Sequence, residues 1–541
     1  MYVRCQKLKG KYRIAVMLCH SVRRGSKVSQ QTHKYFGIAH SEQELQALQK
    51  IAFLELERLK SLPMEIKKLH TTLDQMKEEE RLIEGFHDIF GTMFDRLNLS
   101  PLFSRLRYRQ LRDVVLGRIA TPSSKCRTAA LLTHQYARPL SEDQIYRLMD
   151  RLTPHIESVK AKVFGVTCHL SAHQKRDLLF FDVTTLYFES QKSDEIRDFG
   201  YSKDHKIGET QIVLALATTA DGLPIGYSLF SGKTAEVKTL LQCLNEWRKI
   251  VSIGDVVVIA DRAMMSDENL LEMERQGIRY VVAAKLKQFP SQFKEQILKR
   301  HQENLVSVRG EQVFIQEHRV SGRRLIVSYS ASRALKDQED RKRLLIQLQK
   351  KVQGETDPRK LVTHRGYLKY LDEKEKGKVI LNEKKIAQES RWDGLHGVIT
   401  NDFTSSAEEL LSRYRQLWVI EESFRINKHT LAMRPIYHFK PRRVQAHILI
   451  CYLAFALSRY VQHQLKTFDI SMSIEKIREV LLQVEASLLK VQGEVYKVPS
   501  KMSKEAETIY RAMGIGRSLC ATRVVEGSKC SGMQKMQTTA A

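Results

Sequence analysis

Tyr414, Glu421 and Lys428 recur at intervals of seven in Tyr414-Arg-Gln-Leu-Trp-Val-Ile-Glu-Glu-Ser-Phe-Arg-Ile-Asn-Lys428. On an α-helix seven residues make two turns, so a phenol, a carboxylate and an amine line one face with about 10 Å between neighbours. Trp418, three residues before Glu421, leans onto the same stripe. A carboxylate flanked by a cation and two aromatic rings suits a surface that holds a metal ion and a phosphate together. Glu422 is out of register with both Tyr414 and Lys428, so Glu421 is the candidate. Upstream, two apolar strand-like runs each end in an aspartate: Leu178-Leu-Phe-Phe-Asp182 and Val256-Val-Val-Ile-Ala-Asp261.

An aspartate ending an apolar run is by itself more often a turn or a helix cap. Val183-Thr-Thr-Leu-Tyr-Phe continues strand-like after Asp182, whereas Ser266-Asp-Glu after Asp261 reads as a helix start. Two such endings in one α/β unit, with a third acid on a later helix, point to a shared site. Phosphodiester cleavage without a covalent enzyme intermediate needs an activated water and a stabilised leaving oxygen. Two divalent ions about 3.5–4 Å apart supply both, and hard Mg²⁺ or Mn²⁺ prefers carboxylate oxygen. Without metal, three converging acids would repel and raise one another's pKa. The expectation is that Asp182 bridges two ions while Asp261 and Glu421 each complete one coordination sphere.

The elements that must position these acids are legible from periodicity. Residues 1–84 read as a hairpin presenting cations around Arg23-Arg-Gly-Ser-Lys27, followed by a long charged helix from Ser41 to about Arg81. Residues 85–175 read as all-helical, punctuated by Pro101, Pro122, Pro139 and Pro154, with a helix start at Ser141-Glu-Asp-Gln144. Residues 176–285 alternate: three strands, a helix, a strand, a helix and a strand, the first hairpin turning at Ala220-Asp-Gly222. Residues 286–395 predict a β-rich insertion with a charged helix near 333–352, and residues 396–465 return to the core with the helix of Glu421. The tail, 466–541, predicts mostly helix and a disordered polar end from 525. The expected fold class is α/β, with a mainly helical N-terminal region.

Bulk composition fits a nucleic-acid enzyme. The 541 residues carry a net charge of +27, a sequence pI near 9.6, 42% hydrophobic and 28% charged residues. A basic excess spread over the whole length points to a polyanionic partner, DNA or RNA. Eight cysteines without a C-x-x-C pair argue against a zinc ribbon or a secreted disulfide scaffold, and suggest a reducing cytosol. No signal peptide is expected. The most apolar run, His447–Leu457, is far short of the roughly 20 residues a span needs, so it predicts a buried helix and no membrane. The loop Arg197-Asp-Phe-Gly-Tyr201-Ser-Lys203-Asp-His205-Lys206 sets cations beside aromatic rings, a mix suited to phosphate contact and base stacking, though such a run alone is more often a solvated loop. Trp392 reads as a buried anchor more than as a base-stacking ring.

Asp182-Val-Thr-Thr-Leu, Asp261-Arg262 and Tyr414…Glu421…Lys428 resemble the three acidic motifs of DDE insertion-sequence transposases. The branch resembled has a Y-R-E-K third motif and a β-rich insertion before the catalytic Glu. Phe199–His205, Asp221–Gly226, Arg434–His438 and the run from His447 resemble that branch too. Leu417, Ala263 and Lys233 depart from it, standing where Arg, Gly and Asn are usual. The resemblance implies an RNase H-like mixed-sheet catalytic core interrupted by the insertion, and cut-and-paste transposition by hydrolysis and then strand transfer. It implies Asp182, Asp261 and Glu421 as catalytic and metal-binding residues for two Mg²⁺ or Mn²⁺ ions. Tyr414, Arg415, Arg425, Lys428, Arg262 and the loop residues Tyr201, Lys203, His205 and Lys206 would contact double-stranded DNA, both inverted repeats and target. It further implies a homodimer on DNA and a cytoplasmic, nucleoid-associated location in bacteria. A nuclease of the same fold without strand transfer and a catalytically silent DNA-binding protein are the alternatives.

Overall fold

The computed structural model describes residues 1–9, 12–24, 27–61, 72, 75–171, 178–188, 192–200, 208–248, 257–260, 266–299, 304–354, 370–374 and 378–524. The chain divides into two compact units. Met1–Gly85, His134–Ala137 and Val480–Ala541 form the first; Phe86–Thr133 and Arg138–Glu479 form the second.

In the first unit β1 (Tyr2–Lys7), β2 (Ile14–Arg24) and β3 (Lys27–Ala39) make an antiparallel sheet against which α1 (Glu42–Ser61) packs. Val16, Ala39, Leu45 and Ala52 close that small core. The helix expected from Ser41 to about Arg81 is described as far as Ser61, residues 62–71 lie outside the described residues, and β4 (Lys77–Ile83) is a strand. Its sequence, Lys-Glu-Glu-Glu-Arg-Leu-Ile, is exposed along most of its length, so no apolar alternation announces it. Pairing with a distant strand makes it one.

Next come α2 (Gly85–Arg96), α3 (Arg105–Ala120), α4 (Lys125–Tyr136), α5 (Glu142–Met149) and α6 (Ile156–Leu170), which belong to the second unit except for Gly85 and His134–Tyr136. Ser141 starts α5 as its sequence implied: its hydroxyl accepts from Gln144 N while the Gln144 side chain accepts from Ser141 N, a reciprocal cap. Three neighbouring strands follow, β5 (Leu178–Tyr187), β6 (Gln211–Thr218) and β7 (Pro224–Ser231). Next come α7 (Glu236–Arg248), β8 (Val257–Ala260), α8 (Asp267–Arg275) and β9 (Arg279–Ala283), the alternation read from the sequence. β5 runs antiparallel to β6 but parallel to β8, which runs parallel to β9. This is a mixed α/β arrangement with a large mixed sheet, consistent with the RNase H-like expectation.

The segment expected as a β-rich insertion, residues 286–395, adds strands to that sheet. After α9 (Ser291–Leu298) come β10 (Leu305–Val308), β11 (Glu311–Val320), β12 (Arg323–Tyr329) and α10 (Ala331–Gly354). A small hairpin, β13 (Leu371–Lys374) and β14 (Lys378–Leu381), and α11 (Glu383–Ser390) precede β15 (Leu395–Thr400). β15 pairs with both β12 and β9, giving one sheet of order β10-β11-β12-β15-β9-β8-β5-β6-β7.

α12 (Ala407–Tyr414), a 3₁₀ turn (Arg415–Leu417), α13 (Trp418–Arg425), a π turn (Ile426–Thr430) and α14 (Pro441–Lys466) follow. α14 is apolar and long enough to cross a membrane, but 94% of its most apolar window is buried inside the protein. It packs on α3, α5, α6 and β7 and is a core helix. The helices of 85–175 therefore share one compact unit with the sheet. After α15 (Ile474–Leu482) the described tail residues form strands as well as helix, and 525–541, expected to be disordered, lie outside the described residues. β16 (Glu485–Val491), β17 (Glu494–Pro499) and β18 (Thr522–Val524) build a sheet of order β18-β17-β16-β4, with α16 (Lys504–Met513) between the last two.

Candidate active site

Asp182 lies in the middle of β5, not at a strand end as its apolar run suggested. Alternation along the strand separates its neighbours. Leu179, Phe181 and Val183 enter the core with Leu240, Leu244 and Trp247 of α7 and Met273 of α8, so Asp182 occupies the opposite face. The carboxylate is half-buried, and its Oδ1 accepts from Val183 N at 2.7 Å.

β8 lies beside β5 with Phe180 opposite Ile259 and Phe181 opposite Ala260. Phe181 and Ala260 each directly precede one of the two aspartates. Asp261 and Arg262 lie outside the described residues, as do Tyr201, Lys203, His205 and Lys206. Among the described residues no three His, Cys, Asp or Glu side chains gather as a metal site.

α13 packs against β5 and β6, which brings the helix of Glu421 to the strand of Asp182. Val419, Ile420, Ser423 and Phe424 are buried, whereas Trp418 and Glu421 are exposed. Glu421 makes no ion pair or hydrogen bond among the described residues. Its neighbour is engaged: Glu422 Oε2 accepts from Arg459 Nη2 at 2.8 Å, and Arg425 stands 3.6 Å away. Arg459 comes from α14, is 7% exposed, and also donates to Ser423 Oγ at 3.3 Å. A lone arginine inside an apolar helix was the available signal for this contact, and sequence reasoning passed over it. The donors fit a divalent ion: Asp182 offers carboxylate oxygen on a rigid strand, and Glu421 offers a second acid uncommitted among the described residues.

The run carrying Tyr414, Glu421 and Lys428 is not one regular α-helix: a 3₁₀ turn at Arg415–Leu417 and a π turn at Ile426–Thr430 interrupt it, so a spacing of seven is not two α-turns on either side of Glu421. The Tyr414 ring packs, tilted by 35°, on His396 of β15 at 5.0 Å between centroids and lines a cavity of about 830 Å³ with Trp392, Arg333 and Arg341. Burial, then Arg333 and Arg415, push the His396 imidazole down to about 4, so it is neutral near pH 7. Arg415 ties the 3₁₀ turn to the sheet extension, donating to Glu311 at 2.7 Å and to Val308 O at 3.2 Å. Arg425 is 56% exposed in its side chain and lies 3.9 Å from Glu475. Lys428 is half-buried. Trp392, expected as a buried anchor, is half-buried: it packs against the cluster of Leu325 and Val327 with Lys287 over its ring at 5.9 Å, and also lines the cavity.

The end of β5 is held from two sides. Phe188 bridges in parallel to Ile436, and Arg434 lies over the Tyr187 ring at 5.7 Å. Arg197, 5% exposed, donates to Asp194 at 2.7 Å and to Phe439 O at 2.9 Å. This clamp fixes the segment leading into the basic loop.

Residues 173–457, just over half of the chain, match the family model described as Transposase DDE domain. No curated protein matches the chain. Among solved structures, the cryo-EM structure of the piggyBac transposase synaptic complex with hairpin DNA is similar at 10% identity. The match covers 74% of this chain and 77% of that one with a TM-score of 0.37.

Proposed function

The chain belongs to the transposase DDE domain family, and we propose that it cuts DNA at the ends of its own element and joins the freed 3′-OH ends to target DNA. In this reading Asp182, Asp261 and Glu421 are the three acids of the site. The observation that carries it is the register of β5 and β8, Phe181 opposite Ala260, with the helix of Glu421 packed on β5. Two Mg²⁺ or Mn²⁺ ions, when bound, would lower the pKa of the attacking water and neutralise charge on the leaving oxygen.

The chain's own residues do the rest. Asp182, on a strand paired on both sides, holds its carboxylate without a loop's freedom to swing away. Arg459 keeps Glu422 turned into the protein, so Glu421 is the acid of that helix turn directed outward. Arg425 and Lys428, one and two turns on, would grip backbone phosphate, and Arg415 would act by bracing the helix against Glu311. Two ends must be held for joining, so the working assembly is a homodimer on DNA.

The test separates binding from cutting. Asp182→Ala and Glu421→Gln should abolish Mg²⁺- or Mn²⁺-dependent cleavage of a duplex carrying the element end while leaving its affinity within a few-fold. Glu422→Gln should retain cleavage chemistry. Undiminished cutting by both acid variants would sink the assignment. Cleavage with no joined product when a 3′-OH end and a target are supplied would leave a nuclease.

A further inference from the structure

We propose that the β2–β3 ribbon of the first unit is a DNA-groove-reading arm, an inference that rests on the transposase reading for its ligand. β1 pairs with β2 only from Tyr2 opposite Cys19 to Lys7 opposite Ile14. β2 and β3 continue beyond that edge through five more pairs, from His20 opposite Gln31 to Arg24 opposite Lys27. The sheet thus narrows to a two-stranded ribbon extending about 16 Å past its third strand, at about 3.3 Å per residue. Two register shifts, at Val16/Met17 and Leu18/Cys19, add twist where the ribbon leaves the sheet. The core with α1 stays behind, built on Val16, Leu18, Ala39 and Leu56.

A bare ribbon with exposed edges is a liability unless something covers it or charge protects it. Here the charge is one-sided. The first 41 residues contain nine Lys and Arg and no Asp or Glu, and three of those cations, Arg23, Arg24 and Lys27, flank the tip of the ribbon. Lys34, nearer the base, is neutralised by Glu55 at 3.1 Å. Val28 is 66% exposed, and Ser29, Gln30 and Gln31 are exposed with it. Cross-strand partners share a face, so His20 and Gln31 stand beside Val22 and Ser29 on one side of the ribbon. Ser21 and Gln30 stand on the other, with Arg4 donating to the Gln30 side-chain oxygen.

The combination fits duplex DNA. A two-stranded ribbon enters a major groove about 12 Å wide, the basic sequence of its last two pairs complements phosphate in charge, and glutamine can pair with both N6 and N7 of adenine. A protein partner of ordinary acidic surface would use the charge, but not a row of exposed amides and hydroxyls on both faces.

The experiment uses the full chain and two short duplexes, one carrying the sequence that flanks the coding region and one of scrambled sequence. Replacing Arg23, Arg24 and Lys27 together by Gln should weaken binding to both duplexes. It should also lower the slope of log affinity against log salt by about 2 to 3, one counterion per lost phosphate contact. Gln31→Ala should instead erode the preference between the duplexes while leaving the slope unchanged. A chain in which an Asn-Gly turn replaces residues 21–30 should lose both. Unchanged affinity, slope and preference in the triple variant and the shortened arm overturn the inference, and metal-dependent cutting by the same proteins would leave the transposase reading intact. Arm-dependent binding without any metal-dependent cutting overturns that reading alone.

Discussion

Phe181 and Ala260 are Cα partners on neighbouring parallel strands, and each is the residue immediately before an aspartate. Parallel pairing in this register puts the residues before two acids 79 positions apart in sequence side by side, as the proposed metal site needs, which no property of either segment by itself requires.

Divalent ions should therefore stabilise the protein. Saturation at 100 times Kd is worth about 2.7 kcal/mol to the folded state, visible as a rise in melting temperature with Mn²⁺ and absent with monovalent salt. Asp182→Asn should remove most of that rise, and Glu422→Gln should preserve it. An equal rise in wild type and Asp182→Asn would place the ions elsewhere.

Arg459 bonds Glu422 from inside a buried helix. Arg459→Met removes the buried hydrogen-bonded cation of Glu422 and leaves it only the exposed Arg425 at 3.6 Å, at a cost of about 1–3 kcal/mol in a denaturant melt. Cleavage should fall more than DNA affinity, because a released Glu422 competes with Glu421 for the same ion. Arg459→Lys should recover part of the stability. Loss of affinity with cleavage rate intact would show that Arg459 serves DNA directly.

Arg415 and Glu311 form an ion pair about one-third exposed, worth on the order of 0.5–1 kcal/mol. Arg415→Glu should destabilise the protein and slow cleavage, and adding Glu311→Arg should restore both if Arg415 acts by bracing. Were Arg415 a phosphate ligand, as its place beside Tyr414 suggested, the double reversal would fold well but still bind DNA poorly.

Lys125 supplies the pH dependence. Its amine is fully buried, 3.2 Å from His447 Nδ1, and burial, then Arg118, push it down to about 7 from an ordinary 10.5. Between those values the unfolded chain holds a proton that the folded chain lacks, so stability rises with pH through this window and the penalty is complete below about 7. The slope is at most about 1.4 kcal/mol per pH unit. Lys125→Met should flatten the rise in denaturant midpoint between pH 7 and pH 9. An unchanged slope would assign it to other groups.

Gly394 has φ +77, and a Cβ there would stand 2.6 Å from Ser330 O and 2.8 Å from the Ala334 Cβ. Gly394→Ala should cost about 2 kcal/mol or more through backbone strain and a clash with backbone oxygen. The loss would be read as a lowered melting temperature. A variant melting like wild type would mean that the turn before β15 yields.

The sequence by itself determined the alternation of β5 to β9, the family, the helical start at Ser141 and the identity of the candidate acids. These rest on local periodicity, capping and motif order, which act over a few residues. Only the tertiary structure decided that Asp182 sits mid-strand, that β10–β12 extend the sheet through β15, and that β4 pairs with β16 some 400 residues away. It also decided that Glu422 belongs to Arg459 and Tyr414 to His396. Strand partners and ion pairs are chosen by contacts between distant segments: an exposed strand such as Lys77–Ile83 carries no period of its own, and a three-residue 3₁₀ turn at Arg415–Leu417 tightens the helix without altering a letter of its motif.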